Sequence, residues 1–134
     1  MATLTPTLTL NSSDISASEQ LNLTLTDTLT VDGPVITKRI AISSGSTDVG
    51  TDNTVFVATD YTISYVLLYN TSTATSGEII TIGTTAAAAS LAAENMSLKP
   101  GEWAFFPWDS SVSLVADASS GSPVLEARIY QSAS

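Results

Sequence analysis

No cysteine and no histidine occur among the 134 residues of this chain. Without cysteine there is no disulfide framework, no thiolate zinc site and no sulfur nucleophile. Without histidine, Ser-His-Asp chemistry is excluded and the commonest transition-metal ligand is missing. Positive charge is almost as scarce: Lys38, Arg39, Lys99 and Arg128 stand against thirteen acidic residues, for a formal net charge of −9. Binding to phosphate backbones or anionic membranes relies on clustered Lys and Arg, so neither nucleic acid nor membrane is expected as a partner. Apolar runs fall far short of the ~20 residues of a membrane-spanning helix. Met1-Ala2-Thr3-Leu4-Thr5-Pro6 has neither the basic start nor the apolar stretch of a secretory signal, so no signal peptide is expected.

What is present is hydroxyl and hydrocarbon. Charged residues make up 13% of the chain, about half the usual quarter, while serine and threonine supply twenty residues each. A hydrophobic fraction of 43% and a mean hydropathy of +0.25 suffice for one core. One domain over residues 1–134 is expected, with residues 1–10 as a flexible N-terminal segment. A surface this poor in charge is weakly protected against association, which suits a protein whose surface is covered by partners.

Alternation of period two runs through most of the chain and predicts an all-β protein. Its clearest instance is Leu21 to Val31, with apolar residues at odd positions except Asp27 and Thr or Asn at even ones. A bend or bulge is expected at Asp27, where the strand would pass between sheets. Pro6, within the Leu4/Leu8/Leu10 alternation, points to an edge or a bulge. After a break at Asp32-Gly33-Pro34, further strands are expected near 35–43, 55–59, 63–70, 78–82, 102–106, 111–117 and 124–131. Residues 43–53 read as a loop, and Pro100-Gly101 as a type II turn. The Ala-rich stretch 84–95 fits either a three-turn helix or an extended loop. Eight or nine strands with turn-forming links predict an antiparallel β-sandwich, jelly-roll-like, with an immunoglobulin-like sandwich as the alternative.

Several residues invite a functional reading beside a structural one. Tyr65, Leu67 and Tyr69 alternate with Val66 and Leu68, so this strand is apolar on both faces, and Ile80 and Ile82 repeat the theme. One face lines the core; the other is either overlain within the domain or meets another subunit. Trp103 to Asp109 contains both tryptophans. Trp108, with Asp109 or Asn70, has the composition of a sugar platform, whereas the structural reading puts Trp103 and Phe105 on one face, Phe106 on the other, and Trp108 as the seal of the sandwich end. Asp48, Asp52 and Asp60 match no calcium-loop spacing and read as solvated turns. Glu78, Glu94, Glu102 and Glu126 have no spacing that pairs two of them for glycoside hydrolysis. Lys38 and Arg39 should point to opposite faces of their strand, one toward Ile36, Ile40 and Ile42; they guard an edge or join a subunit contact. No catalytic, cofactor-binding or metal-binding residue is expected.

The run Leu98-Lys99-Pro100-Gly101-Glu102-Trp103-Ala104-Phe105-Phe106-Pro107-Trp108, with Tyr65-Val66-Leu67-Leu68-Tyr69-Asn70-Thr71-Ser72, Val112 to Asp117 and the closing Val124 to Tyr130, resembles small virion proteins of tailed bacteriophages. In these an apolar-x-Pro-Gly-Glu turn precedes an aromatic strand. The likeness covers about half the chain, from Tyr65 onward. It implies a β-sandwich, jelly-roll-like virion structural protein of the capsid cement or decoration type, without enzymatic activity or cofactor. Its partners would be the major capsid protein and copies of itself, and its place the capsid surface after synthesis in the host cytoplasm. The alternative is a tail or head-vertex module, structural or lectin-like, and only in that case does carbohydrate enter as a partner. The candidate interface residues are Tyr65, Leu67, Tyr69, Ile80, Ile82, Trp108, Lys38 and Arg39.

Overall fold

A computed structural model of the chain describes residues 2–13, 21–44, 54–58, 61–84, 96–109 and 111–132. These contain eleven strands and no helix: β1 (Ala2–Leu4), β2 (Thr7–Ser12), β3 (Leu21–Thr26), β4 (Leu29–Ala41), β5 (Thr54–Phe56), β6 (Ile63–Asn70), β7 (Ile80–Gly83), β8 (Met96–Leu98), β9 (Trp103–Pro107), β10 (Leu114–Ala118) and β11 (Val124–Ser132). Where one domain over 1–134 was expected, the chain divides into two compact units, residues 1–33 and residues 34–132. The segment 85–95, expected as helix or loop, and the acidic positions 48, 52 and 60 lie outside the described residues.

The first unit is a two-stranded antiparallel ribbon. β1 pairs with the start of β4, Ala2 opposite Val31 and Leu4 opposite Leu29, and β2 pairs with β3 from Thr7 opposite Thr26 to Ser12 opposite Leu21. The stretch expected to be a flexible N-terminal segment is therefore β1 and most of β2. One register runs through both pairings, and the ladder is interrupted where Pro6 comes opposite Asp27. Proline has no N–H to give; the Asp27 amide still donates to the Pro6 carbonyl at 3.2 Å, while the Asp27 carboxylate accepts from the Thr28 amide at 2.7 Å. The interruption at Asp27, where a bend or bulge was expected, thus involves both strands at once. Past it, β4 continues without interruption through Asp32-Gly33-Pro34, where a turn was expected. β1 pairs only as far as Val31, and among the described residues no other strand pairs with that edge of β4; an edge tolerates proline.

The second unit is a β-sandwich. One sheet runs β4-β11-β6-β9 and the other β5-β10-β7-β8, and every pairing between named strands whose register is defined is antiparallel. Numbered from β4, the orders are 1-8-3-6 and 2-7-4-5, the interleaving of an eight-stranded jelly roll. An immunoglobulin-like sandwich groups its strands differently. Alternate residues of each strand fill the space between the sheets: Val66 and Leu68, Leu125, Ala127 and Ile129 from one sheet, Phe56, Ile80, Ile82, Leu114, Ala116 and Ala118 from the other, all essentially inaccessible to water. The short β8 had no signal of its own in the alternation.

Two polar devices set the connections. Pro100-Gly101 makes the expected turn: Gly101 has φ +81° and the Glu102 amide donates to the Lys99 carbonyl at 2.9 Å. An added Cβ at Gly101 meets nothing within 4 Å, so Gly101→Ala carries only the backbone penalty of a positive φ, about 1 kcal/mol. Thermal unfolding should fall by a few degrees, and an unchanged midpoint would contradict the turn assignment. The second device is Asn70, inaccessible to water at the end of β6. Its side-chain amide donates to the carbonyls of Glu78 at 2.9 Å and Leu98 at 3.0 Å, and its side-chain oxygen accepts from the Ser72 amide at 3.1 Å. One side chain thereby ties the β6–β7 connection to β8.

Candidate functional site

The outward face of the β11-β6-β9 sheet gathers the aromatic residues that the core does not use. Because Val66, Leu68, Leu125, Ala127 and Ile129 point inward, their neighbours along the strands point out. Register then sets them in three rows. Tyr69 lies between Glu126 and Trp103, Leu67 between Arg128 and Phe105, and Tyr65 between Tyr130 and Pro107. Tyr65 and Phe105 stack with ring centroids 5.3 Å apart, and Tyr130 meets Phe105 edge-on at 6.0 Å. Trp103 is 58% exposed and Tyr69 38%. With Leu67, Glu126 and Arg128 they line a shallow cleft of about 360 Å³. Both Nε and a terminal nitrogen of Arg128 donate to one Glu126 oxygen, at 3.1 and 3.0 Å. Exposed as it is, this pair adds little stability, but it places two charged hydrogen-bonding groups beside an aromatic surface.

Of the residues singled out from sequence, Tyr65, Leu67 and Tyr69 belong to this face. Ile80 and Ile82 do not: they are 0% and 2% exposed in the core and cannot meet a partner. Their strand is buried on both sides, since Thr81 between them is also inaccessible. Trp108 is likewise no platform. It packs edge-on against Phe56 at 6.2 Å and Phe106 at 5.7 Å, and its indole N–H donates to the Val112 carbonyl at 2.9 Å. Asn70, its suggested polar companion, is committed to backbone carbonyls. Trp108→Ala should therefore destabilise the fold by about 3 kcal/mol, read as a lowered urea midpoint, and leave the outward face intact. Beside it, the Ser111 amide, at 2.8 Å, and the Ser111 hydroxyl hold the Asp109 carboxyl below its ordinary value of 3.8. This contribution is present above that value and is lost as pH falls through the lowered one.

Lys38 and Arg39 separate as alternation requires. Lys38 turns toward the core side, donates to the Val55 carbonyl at 3.1 Å and sits 5.2 Å from the Tyr61 ring centroid, so a carbonyl and a π face take the place of an acidic partner. Arg39 is exposed. The carboxylates remain separately engaged: Glu78 accepts from the Ser72 hydroxyl, Glu102 from the Lys99 amide, and Glu126 from Arg128. Among the described residues no group of three or more acidic side chains is placed to hold a metal ion.

Trp103, Phe105, Pro107, Glu126, Arg128 and Tyr130 complete the face and were not expected there. Alternation along β9 does separate Trp103 and Phe105 from Phe106, and alternation along β11 separates Glu126, Arg128 and Tyr130 from the core residues. Which side is the outside depends on the pairing of these strands with β6. No protein-family model matches the chain, and neither a curated protein nor a solved structure matches it.

Proposed function

We propose that this chain is a non-enzymatic virion structural protein of a tailed bacteriophage, a capsid cement or decoration protein whose outward aromatic face clamps adjacent capsid subunits. The observation that carries the reading is that face. Six of its nine outward positions are Tyr, Trp, Phe or Pro, set in register on three neighbouring strands. Aromatic residues dominate binding energy at protein interfaces, and a solvent-facing apolar area of this kind is unusual on a protein that acts alone. Jelly rolls serve in viral shells and in lectins, so the fold is compatible with the reading without selecting it. The likeness of the C-terminal half to phage virion proteins supplies the setting.

The partners are the major capsid protein and further copies of the chain, at the capsid surface. Each docked copy joins neighbouring subunits, so the shell cannot part without breaking several contacts together. No substrate, nucleic acid or cofactor enters this mechanism. Quantitative mass spectrometry of purified particles tests it: the protein should be present at a fixed, high ratio to the major capsid protein. A handful of copies per particle would sink the shell reading and favour a tail or vertex position. A lectin-like module is the second reading, favoured by one observation: Trp103 and Tyr69 are exposed side by side next to the Glu126–Arg128 pair. Glycan-array binding abolished by Trp103→Ala would support it.

A further inference from the structure

The ribbon carries an apolar surface of its own, made by residues other than those of the β11-β6-β9 face. Among the described residues β2 and β3 form a sheet of two strands with no third. Thr7, Thr9, Thr24 and Thr26 make one face polar. The other sets Leu8 opposite Leu25 and Leu10 opposite Leu23, and these four leucines are between 37% and 56% exposed. A two-stranded sheet is marginal in water and gains stability when its apolar face is covered.

Charge and spacing select the cover. No charged residue occurs at positions 2–12 or 21–26, although the chain carries a net −9. Two copies can therefore meet on this face without opposing like charges. The leucines stand at matched levels on both strands, repeating about every 7 Å along the ribbon. A surface with the same repeat fits its ridges into the gaps, and a second copy has that repeat. We propose that the leucine face of β2–β3 is a self-association surface, taking the same face of a second copy of this chain.

Area sets the strength of the contact. Six residue pairs cover about 20 Å by about 10 Å, well short of the roughly 800 Å² per partner that holds a stable dimer. Association between free chains is therefore weak and concentration-dependent, and it becomes effective where copies are already held side by side. Since both partners are acidic, added salt strengthens it by screening their repulsion. A basic partner on this face would show the opposite salt dependence.

Sedimentation equilibrium on the free full-length chain tests this independently of any capsid. Between about 10 µM and about 1 mM the average mass should rise above 13.9 kDa, more so at high salt, and Leu8→Ser/Leu25→Ser should remain monomeric. A wild type that stays monomeric throughout, or a double variant that associates as the wild type does, overturns the proposal. Because the chain has no cysteine, a second measurement needs no intact variant ribbon pair. Leu25→Cys should form disulfide-linked dimers under mild oxidation about tenfold faster than Val57→Cys, whose position is 52% exposed in the other unit. Equal rates overturn it as well.

Discussion

Asn70→Ala should destabilise the protein by about 4 kcal/mol, a large part of the 5–15 kcal/mol by which such domains are typically stable. The substitution leaves the Glu78 and Leu98 carbonyls without their donor and the Ser72 amide without its acceptor. A buried polar group left unpaired costs about 1–3 kcal/mol, and some of this returns if water enters the space. The effect should spread beyond the side chain, because the Asn70 backbone also accepts from the Gly101 amide and donates to the Glu102 carbonyl, at 2.9 and 3.0 Å. Asn70→Asp is the sharper probe: it preserves volume and the acceptor for Ser72 but removes both donors, and it should be nearly as damaging. Urea unfolding followed by tryptophan fluorescence reads both variants. A shift worth less than about 1 kcal/mol for either would show that the Asn70 bonds do not hold the β6–β7 connection to β8.

Trp103→Ala should do the reverse, sparing the fold and abolishing docking. With 58% of the residue in solvent, its removal opens no core cavity, and unfolding should shift by no more than about 0.5 kcal/mol. At an interface, an aromatic anchor of this kind is worth about 2–4 kcal/mol, a roughly 30- to 1000-fold loss of affinity. Occupancy of purified shells stripped of this protein and then titrated with wild-type or variant chain provides the measurement. Wild-type occupancy by the variant would remove the aromatic face from the docking mechanism. Trp108→Ala is the internal contrast, since it should lose stability while retaining docking in whatever fraction remains folded. The two tryptophans, five residues apart, separate the roles of the two faces of β9 and its end.

The difference between them shows how far the sequence reaches. Period-two alternation determines most of the strands and the all-β class, because a strand with one dry face must write that face into every second residue. It also determines that Tyr65, Leu67 and Tyr69 share a side, and the Pro100-Gly101 turn is equally local, since only glycine takes the positive φ at low cost. Missing histidine and cysteine remove imidazole and thiol chemistry without any coordinates. Alternation cannot say which of two apolar sides faces the core. On β7 the answer is both, so Ile80 and Ile82 are interior. On β6 it is the Val66 and Leu68 side, because those two join the buried core cluster between the sheets, and Tyr65, Leu67 and Tyr69 are left outside. The partners of those three come from strands about 40 and about 60 residues further along, contacts that only long-range pairing creates. Asn70 is the same case in polar form: nothing beside it in the chain announces a hub, and its donors find their acceptors only when β8 is brought alongside. The period-two pattern of most strands was thus written locally, and the tertiary fold decided which apolar side became core and which was left facing solvent.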